Sequence, residues 1–251
     1  MRSLKIYTVL VAALFVVLLV AAATILVHQA EESGRQQMRV QMLDTARALT
    51  QVVDARLDGY EQLLVALAAS QAMERRDFAA LDGQARRALV DPNAWVILAD
   101  RQGNQMINTR LPRGAKLPRG PLPEAAWREL DTGKARRCNL VRGLVEPHVL
   151  CVDWPIMEGG QARYTLSVIF QPALLQRVID SQRVPNGRFA TIIDREGTVI
   201  WRNAAPERFV AKKATPDLRR RSNMKLTRGK AVRSAAVSVE VCPSGPFRTM
   251  L

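Results

Sequence analysis

Side chains suited to catalysis or metal binding are scarce in this sequence, and their spacing builds neither. The two histidines are His28, beside a long apolar run, and His148, within Glu-Pro-His-Val. Neither a His-rich metal site nor a phosphoacceptor of the kinase type follows from them. Cys138, Cys151 and Cys242 lack the CxxC spacing of a zinc or thioredoxin-type site. A Cys138–Cys151 bridge is left open, because both lie in strand-like segments of a region read below as exported, although one cysteine then stays odd. Gly133-Lys134 is not preceded by the glycine pattern of a phosphate loop, and no G-x-S-x-G elbow occurs. The expectation is therefore no catalytic residue, no metal and no cofactor.

A formal charge of +14 on 251 residues invites a polyanionic partner until the charge is located. Residues 210–251 hold ten Lys or Arg against Asp217 and Glu240, while Arg2 and Lys5 add two more cations at the start. The middle of the chain is an ordinary mixed surface. With Phe247 as the single aromatic of the tail, no nucleic acid is expected as a partner.

The elements that must position any site begin with a membrane segment. Ile6–Val27 runs 22 residues without a charge, enough at about 1.5 Å per residue to cross a hydrocarbon core of about 30 Å. A signal peptide shares the basic start, but its apolar region is shorter, about 7–15 residues. Arg2 and Lys5 precede the run and Glu31 and Glu32 follow it, so the basic end is placed in the cytoplasm and the bulk outside. For a bacterium that means a single-pass inner (plasma) membrane protein with a periplasmic body.

Beyond the span, Val53, Leu57, Tyr60, Leu64 and Leu67 recur at helical spacing, in a stretch without Pro from 35 to 72. Such a stripe suits packing on the chain's own domain and equally a helix–helix seam in a homodimer or with a full-length receptor. A second helix is expected near Phe78–Leu89, ended by Asp91-Pro92-Asn93. Trp95–Leu98 and Gln105–Thr109 read as strands around the turn Asp100-Arg-Gln-Gly103. A Pro- and Gly-rich loop over 110–123, a short helix near Glu124–Leu130, strands Val149–Ile156 and Ala162–Phe170, and a helix from Pro172 to about Asp180 complete this part.

Residues 190–203 repeat the first hairpin. Asp100-Arg101-x-Gly103 and Asp194-Arg195-x-Gly197 lie 94 residues apart, each between apolar strands. Turn chemistry alone explains one such motif, since Asp can cap the turn and Gly can adopt its positive φ. Recurrence of the whole strand-turn-strand at the spacing of one small α/β unit favours a duplicated module.

A transmembrane start, a long helix and two strand-D-x-x-G-strand units resemble the double Cache sensor domains of bacterial sensor histidine kinases and chemoreceptors. The resemblance covers about residues 1–215 and is carried most by Trp95–Gly114 and Ile192–Arg202. It implies an α+β fold: an anchor (1–28), a long helix (29–75), a membrane-distal PAS-like antiparallel-sheet module (76–180) and a membrane-proximal one, incomplete, at 181–215. A basic, irregular tail is expected over 216–251.

The resemblance also implies a small-molecule ligand in the distal module, near Trp95, Asn108, Thr109 and Arg110 on the first hairpin and Asp153 and Tyr164 on the later strands. There an Arg can hold a carboxylate bidentately, an Asp an amine, and an aromatic ring can close the pocket. Plainer roles stand beside these: Trp95 in the core, Arg110 as a solvated loop residue, Asp153 as an outward strand position. The Arg-x-Trp-Tyr type run of amino-acid-binding members is absent, so amino-acid recognition is not implied. With no second span or kinase region before Leu251, the expectation is a sensor of the histidine-kinase type without its output domain. An inactive truncated receptor, or a structural membrane protein paired with a full-length one, is the alternative; the tail itself reads as a frameshifted end or as a segment drawn to anionic lipid.

Overall fold

The computed structural model describes residues 2–175, 188–216 and 237–243. The chain divides into two compact units, Met1–Thr45 and Ala46–Leu251.

The first unit is helical throughout its described residues and is the start of α1 (Arg2–Ala68). Within it, Phe15–Gly34 is long and apolar enough to cross a membrane, and its Phe15–Val20, Ile25 and Leu26 side chains are exposed. Thr24 donates its hydroxyl to Val20 O at 2.7 Å, so the polar group is satisfied inside the helix, as lipid would demand.

The second unit begins with the rest of α1. Ala46, Leu49, Val53, Leu57, Tyr60, Leu64 and Leu67 are all buried in the unit's main core, so the helical stripe packs on its own domain. Ser70 and Asp77 then cap two short helices, α2 (Gln71–Glu74) and α3 (Phe78–Ala88), accepting from Met73 N at 3.3 Å and Ala80 N at 2.9 Å.

Five antiparallel strands form the first sheet in the order β2-β1-β5-β4-β3. They are β1 (Ala94–Asp100), β2 (Gln105–Asn108), β3 (Arg136–Arg137), β4 (Leu150–Glu158) and β5 (Gln161–Phe170), with α4 (Glu124–Leu130) between β2 and β3. Strand alternation splits their side chains between two faces. Val96, Leu98, Val152, Leu166, Val168 and Phe170 join the core under α1, where the Phe170 ring lies 5.4 Å from that of Tyr60. Ile97, Ala99, Asp153, Thr165, Ser167 and Ile169 look the other way.

The second sheet has the order β7-β6-β8: β6 (Arg188–Asp194), β7 (Val199–Arg202) and β8 (Val237–Pro243), with a one-turn helix α5 (Pro206–Phe209) after β7. The presence of β8 corrects the expectation of an irregular 216–251 tail. Val237–Val241 alternates apolar and polar residues, a period-2 signal submerged in a stretch of high charge and Gly, Ser and Pro content. This strand pairs with β6 along its full length, from Arg188↔Pro243 to Asp194↔Val237. The second sheet thus draws a strand from beyond residue 215. The tail's basic run at 217–236, and the expected helix beyond residue 175, lie outside the described residues.

The two hairpins repeat bond for bond at the 94-residue offset. Gly103 N donates to Asp100 O and Gly197 N to Asp194 O, both at 3.0 Å, with φ of 79° and 74° at the glycines. Thr109 Oγ1 accepts from Val96 N at 2.9 Å, and Asn203 Oδ1 from Ala190 N at 2.9 Å. Bulges fall between Leu98 and Ala99 and between Ile192 and Ile193. Even the following loops agree: Gly120 N reaches Gly103 O at 3.0 Å, and Ala214 N reaches Gly197 O at 2.8 Å.

Candidate ligand-binding cavity

The outward face of the first sheet forms the floor of a cavity of about 380 Å³. Two loops roof it. The first, 118–123, is tied to the β1–β2 turn by the Gly120–Gly103 bond and by a bridge between Asn104 and Arg119. Backbone atoms of Gly120 and Pro121 fill the space that a Cβ on Gly103 would need. The second loop, 141–149, is closed on itself by paired hydrogen bonds between Val141 and Val149 at 3.0 and 2.9 Å. It is held at its base by the Cys138–Cys151 disulfide, which answers the question the sequence left open. The loops meet where Leu144 covers Gly120, its Cδ1 only 2.7 Å from where a Cβ on residue 120 would sit.

The most deeply placed charge of the lining is Asp153, 1% exposed on β4. Arg136, from the short strand β3 opposite, donates Nη1 to its Oδ2 at 2.7 Å and lies 3.6 Å from Glu129 on α4. Burial pushes the Asp153 carboxyl above its ordinary range, against the opposing pull of Arg136 and the Ser167 hydroxyl. Around this pair the walls are apolar: Trp95, Ile97, Ile169, Val141, Leu144 and Val145.

Of the six residues named from sequence, Trp95, Asn108 and Asp153 line this cavity together. The other three do not. Arg110 stands behind the wall, its guanidinium 5.4 Å over the Trp95 ring and bonded to Glu146 Oε1 at 2.5 Å and Pro92 O at 3.1 Å. Thr109 closes the hairpin by accepting from Val96 N, as Asn203 does in the repeat. Tyr164 falls on the opposite face of β5 because it is out of phase with Thr165, Ser167 and Ile169, and it packs edge-on against Phe78 at 6.4 Å.

Residues that the sequence did not single out are Arg136, Glu146, Thr165 and Ser167. For Thr165 and Ser167 a signal existed: two small polar residues at alternate positions of an otherwise apolar strand. Nothing local distinguishes Arg136 from Arg137, its neighbour, which turns instead to Asp58 and Glu61 on α1. In the second sheet, Ile193 and Val199 pack with Phe209, Val210 and Ala214, so the hairpin residue equivalent to Ala99 lies in a small closed core.

No protein-family model matches this sequence, and no curated protein matches it. Solved structures do share its fold. The sensor domain of the V. cholerae histidine kinase DctB aligns with a TM-score of 0.55 at 10% identity, over 82% of this chain and 96% of that one. The ligand-binding domain of the Pseudomonas aeruginosa PAO1 amino acid chemoreceptor PctC, in complex with GABA, gives 0.54 at 14% identity over 82% and 96%. That of the Pseudomonas fluorescens chemoreceptor CtaA, in complex with L-serine, gives 0.56 at 14% identity over 71% and 77%. The fold is that of Cache-type ligand-binding sensor domains.

Proposed function

We propose that this chain is an extracytoplasmic small-molecule sensor, anchored by the apolar start of α1 with the N-terminus in the cytoplasm and the two sheets in the periplasm. The observation that carries the ligand reading is the cavity itself: about 380 Å³, near the lower end of small-molecule sites, set on the outward face of the first sheet under two pinned loops. The packed counterpart in the second sheet favours the first as the ligand module. Of the residues named from sequence, Trp95, Asn108 and Asp153 are placed to meet the ligand, and Arg110 to steady the wall that meets it.

Ligand binding is transmitted, in this reading, through the segment 136–140. Arg136 and Cys138 face the cavity, while Arg137 reaches Asp58 on α1, and Leu140 N and Asn139 reach Asp194 and Glu196 at the second hairpin's turn at 3.1 Å each. A wall residue displaced by a ligand is therefore within three residues of contacts to both the long helix and the second sheet. The test is native mass spectrometry of the full chain in lipid nanodiscs, incubated with a metabolite extract, beside the cavity-filling variant Ala99→Phe. A small molecule retained by the wild type and lost from the variant is expected; retention by both would place the binding elsewhere and sink the reading.

A further inference from the structure

Most polar groups of the cavity are already engaged with one another; Arg136 Nε is buried without a hydrogen-bond partner, 3.6 Å from Glu129 Oε2. Asp153 holds Arg136. Asn108 Nδ2 donates to Gln105 Oε1 at 2.9 Å, while its Oδ1 accepts from Arg110 N at 3.1 Å. The Thr165 and Ser167 hydroxyls are 3.3 Å apart. Glu146, on the roof loop, is bonded to Arg110. Both charges that sequence reading offered to a charged ligand, Arg110 for a carboxylate and Asp153 for an amine, are thus neutralised inside the protein. Arg142 is the one charged lining residue with no bond to another described residue, and it is exposed.

Electrostatics then selects against charge. An ammonium must shed its hydration shell where no uncompensated counter-charge awaits it, and a carboxylate where the exposed, solvated Arg142 is the one such charge; either must otherwise break the Arg136–Asp153 pair and strand one of its members. An apolar body suffers neither penalty and gains contact with Trp95, Ile97, Ile169, Val141 and the roof leucine and valine. Building on the reading of this cavity as the ligand site, we infer that its ligand is an uncharged, largely apolar small molecule, aromatic or alicyclic, bearing at most a hydroxyl or ring N–H, and not an amino acid or a carboxylate.

The full chain in nanodiscs is melted with and without indole, p-cresol and cyclohexanol as neutral probes, L-leucine, L-arginine and GABA as ammonium probes, and succinate and benzoate as anions. Neutral probes at saturating concentration are expected to raise the melting temperature by about 2–4 °C or more, and the charged ones to leave it unchanged. Ala99→Phe, which fills the cavity, removes that shift; a shift that survives it comes from the lipid phase and overturns the inference. Stabilisation by an amino acid or amine, or by an anion in a manner that Arg142→Glu abolishes, overturns the ligand class while leaving the cavity as a ligand site. Silence from every probe overturns both. Should Ala99→Phe fail to fold, quenching of tryptophan fluorescence by the probes in the wild type, with Trp95→Phe as the control, reads the same occupancy: quenching that Trp95→Phe does not reduce counts against it.

Discussion

Arg136 Nη1 donates to Asp153 Oδ2 at 2.7 Å beneath the cavity, joining the short edge strand β3 to β4 by a buried ion pair. Its two members are unequal in exposure, 17% for the Arg side chain and 2% for the Asp. Truncating one leaves the other charged and dry, so Asp153→Ala is expected to cost about 3–5 kcal/mol, while the joint change to Arg136→Met and Asp153→Leu costs much less than the two singles summed. Urea unfolding of the four proteins of the cycle reads this; additive singles would mean that the pair is not coupled.

The same carboxyl carries a pH signature. Burial raises the folded pKa of Asp153 above its ordinary 3.8, so its contribution to stability is complete below that value and is lost as pH rises through the folded pKa. Relative to Asp153→Asn, the wild type is expected to lose stability as pH rises from about 4 through the raised, folded value. A difference that stays flat or rises over that range would contradict the direction of the shift.

Asp82 on α3 has the opposite sign. Burial pulls its carboxyl upward, but hydrogen bonds from Arg86 at 2.8 Å and Arg113 at 3.1 Å outweigh it and hold the pKa below 3.8. Its contribution is present above 3.8 and is lost as pH falls through the lower, folded value. Arg86 also donates to the carbonyls of Thr109 and Leu111, at 2.8 and 2.7 Å, so the loop after β2 leans on this group. Asp82→Asn is expected to cost about 1 kcal/mol at neutral pH and to shrink towards nothing in acid, as followed by urea midpoints across the titration.

The Cys138–Cys151 bridge closes a loop of 13 residues in sequence separation. Chain entropy alone assigns such a closure about 3 kcal/mol. Reduction, or the paired change Cys138→Ala and Cys151→Ala, is expected to lower the urea midpoint accordingly and to raise proteolysis within 139–149, the roof loop. Limited proteolysis with mass mapping would show the cuts; protection unchanged by reduction would mean that the Val141–Val149 pairing alone holds the loop.

Gly103 and Gly114 separate backbone strain from close approach. Both have positive φ, 79° and 81°, but a Cβ on Gly114 meets open space and one on Gly103 runs into the Gly120–Pro121 backbone. Gly114→Ala is expected to cost about 1 kcal/mol, the penalty of φ alone. Gly103→Ala should cost distinctly more and weaken ligand binding, since the obstructing backbone belongs to the roof. Equal costs in thermal unfolding would remove the close approach from the account.

Local signals made much of this architecture legible. The stripe Val53, Leu57, Tyr60, Leu64, Leu67 announced the buried face of α1, although only the packed structure decided that its own sheets cover it. The Asp-x-x-Gly turns announced both hairpins, because the caps and the positive φ are properties of a few consecutive residues. Tyr164 was misplaced relative to the cavity for a reason the sequence did contain: on a strand, a residue one step from Thr165 must face away from it.

By itself, then, the sequence determined the long apolar start of α1, the helical stripe and the duplicated hairpin, features written in periodicity, length and turn chemistry within a few residues of one another. The tertiary structure decided which charges are free. Arg110 meets Glu146 and Arg136 meets Asp153 across 36 and 17 residues of chain, and such pairings depend on strand register and loop closure, which no local pattern encodes. The character of the cavity, apolar walls around an internally paired Arg136 and Asp153, follows from those long-range pairings.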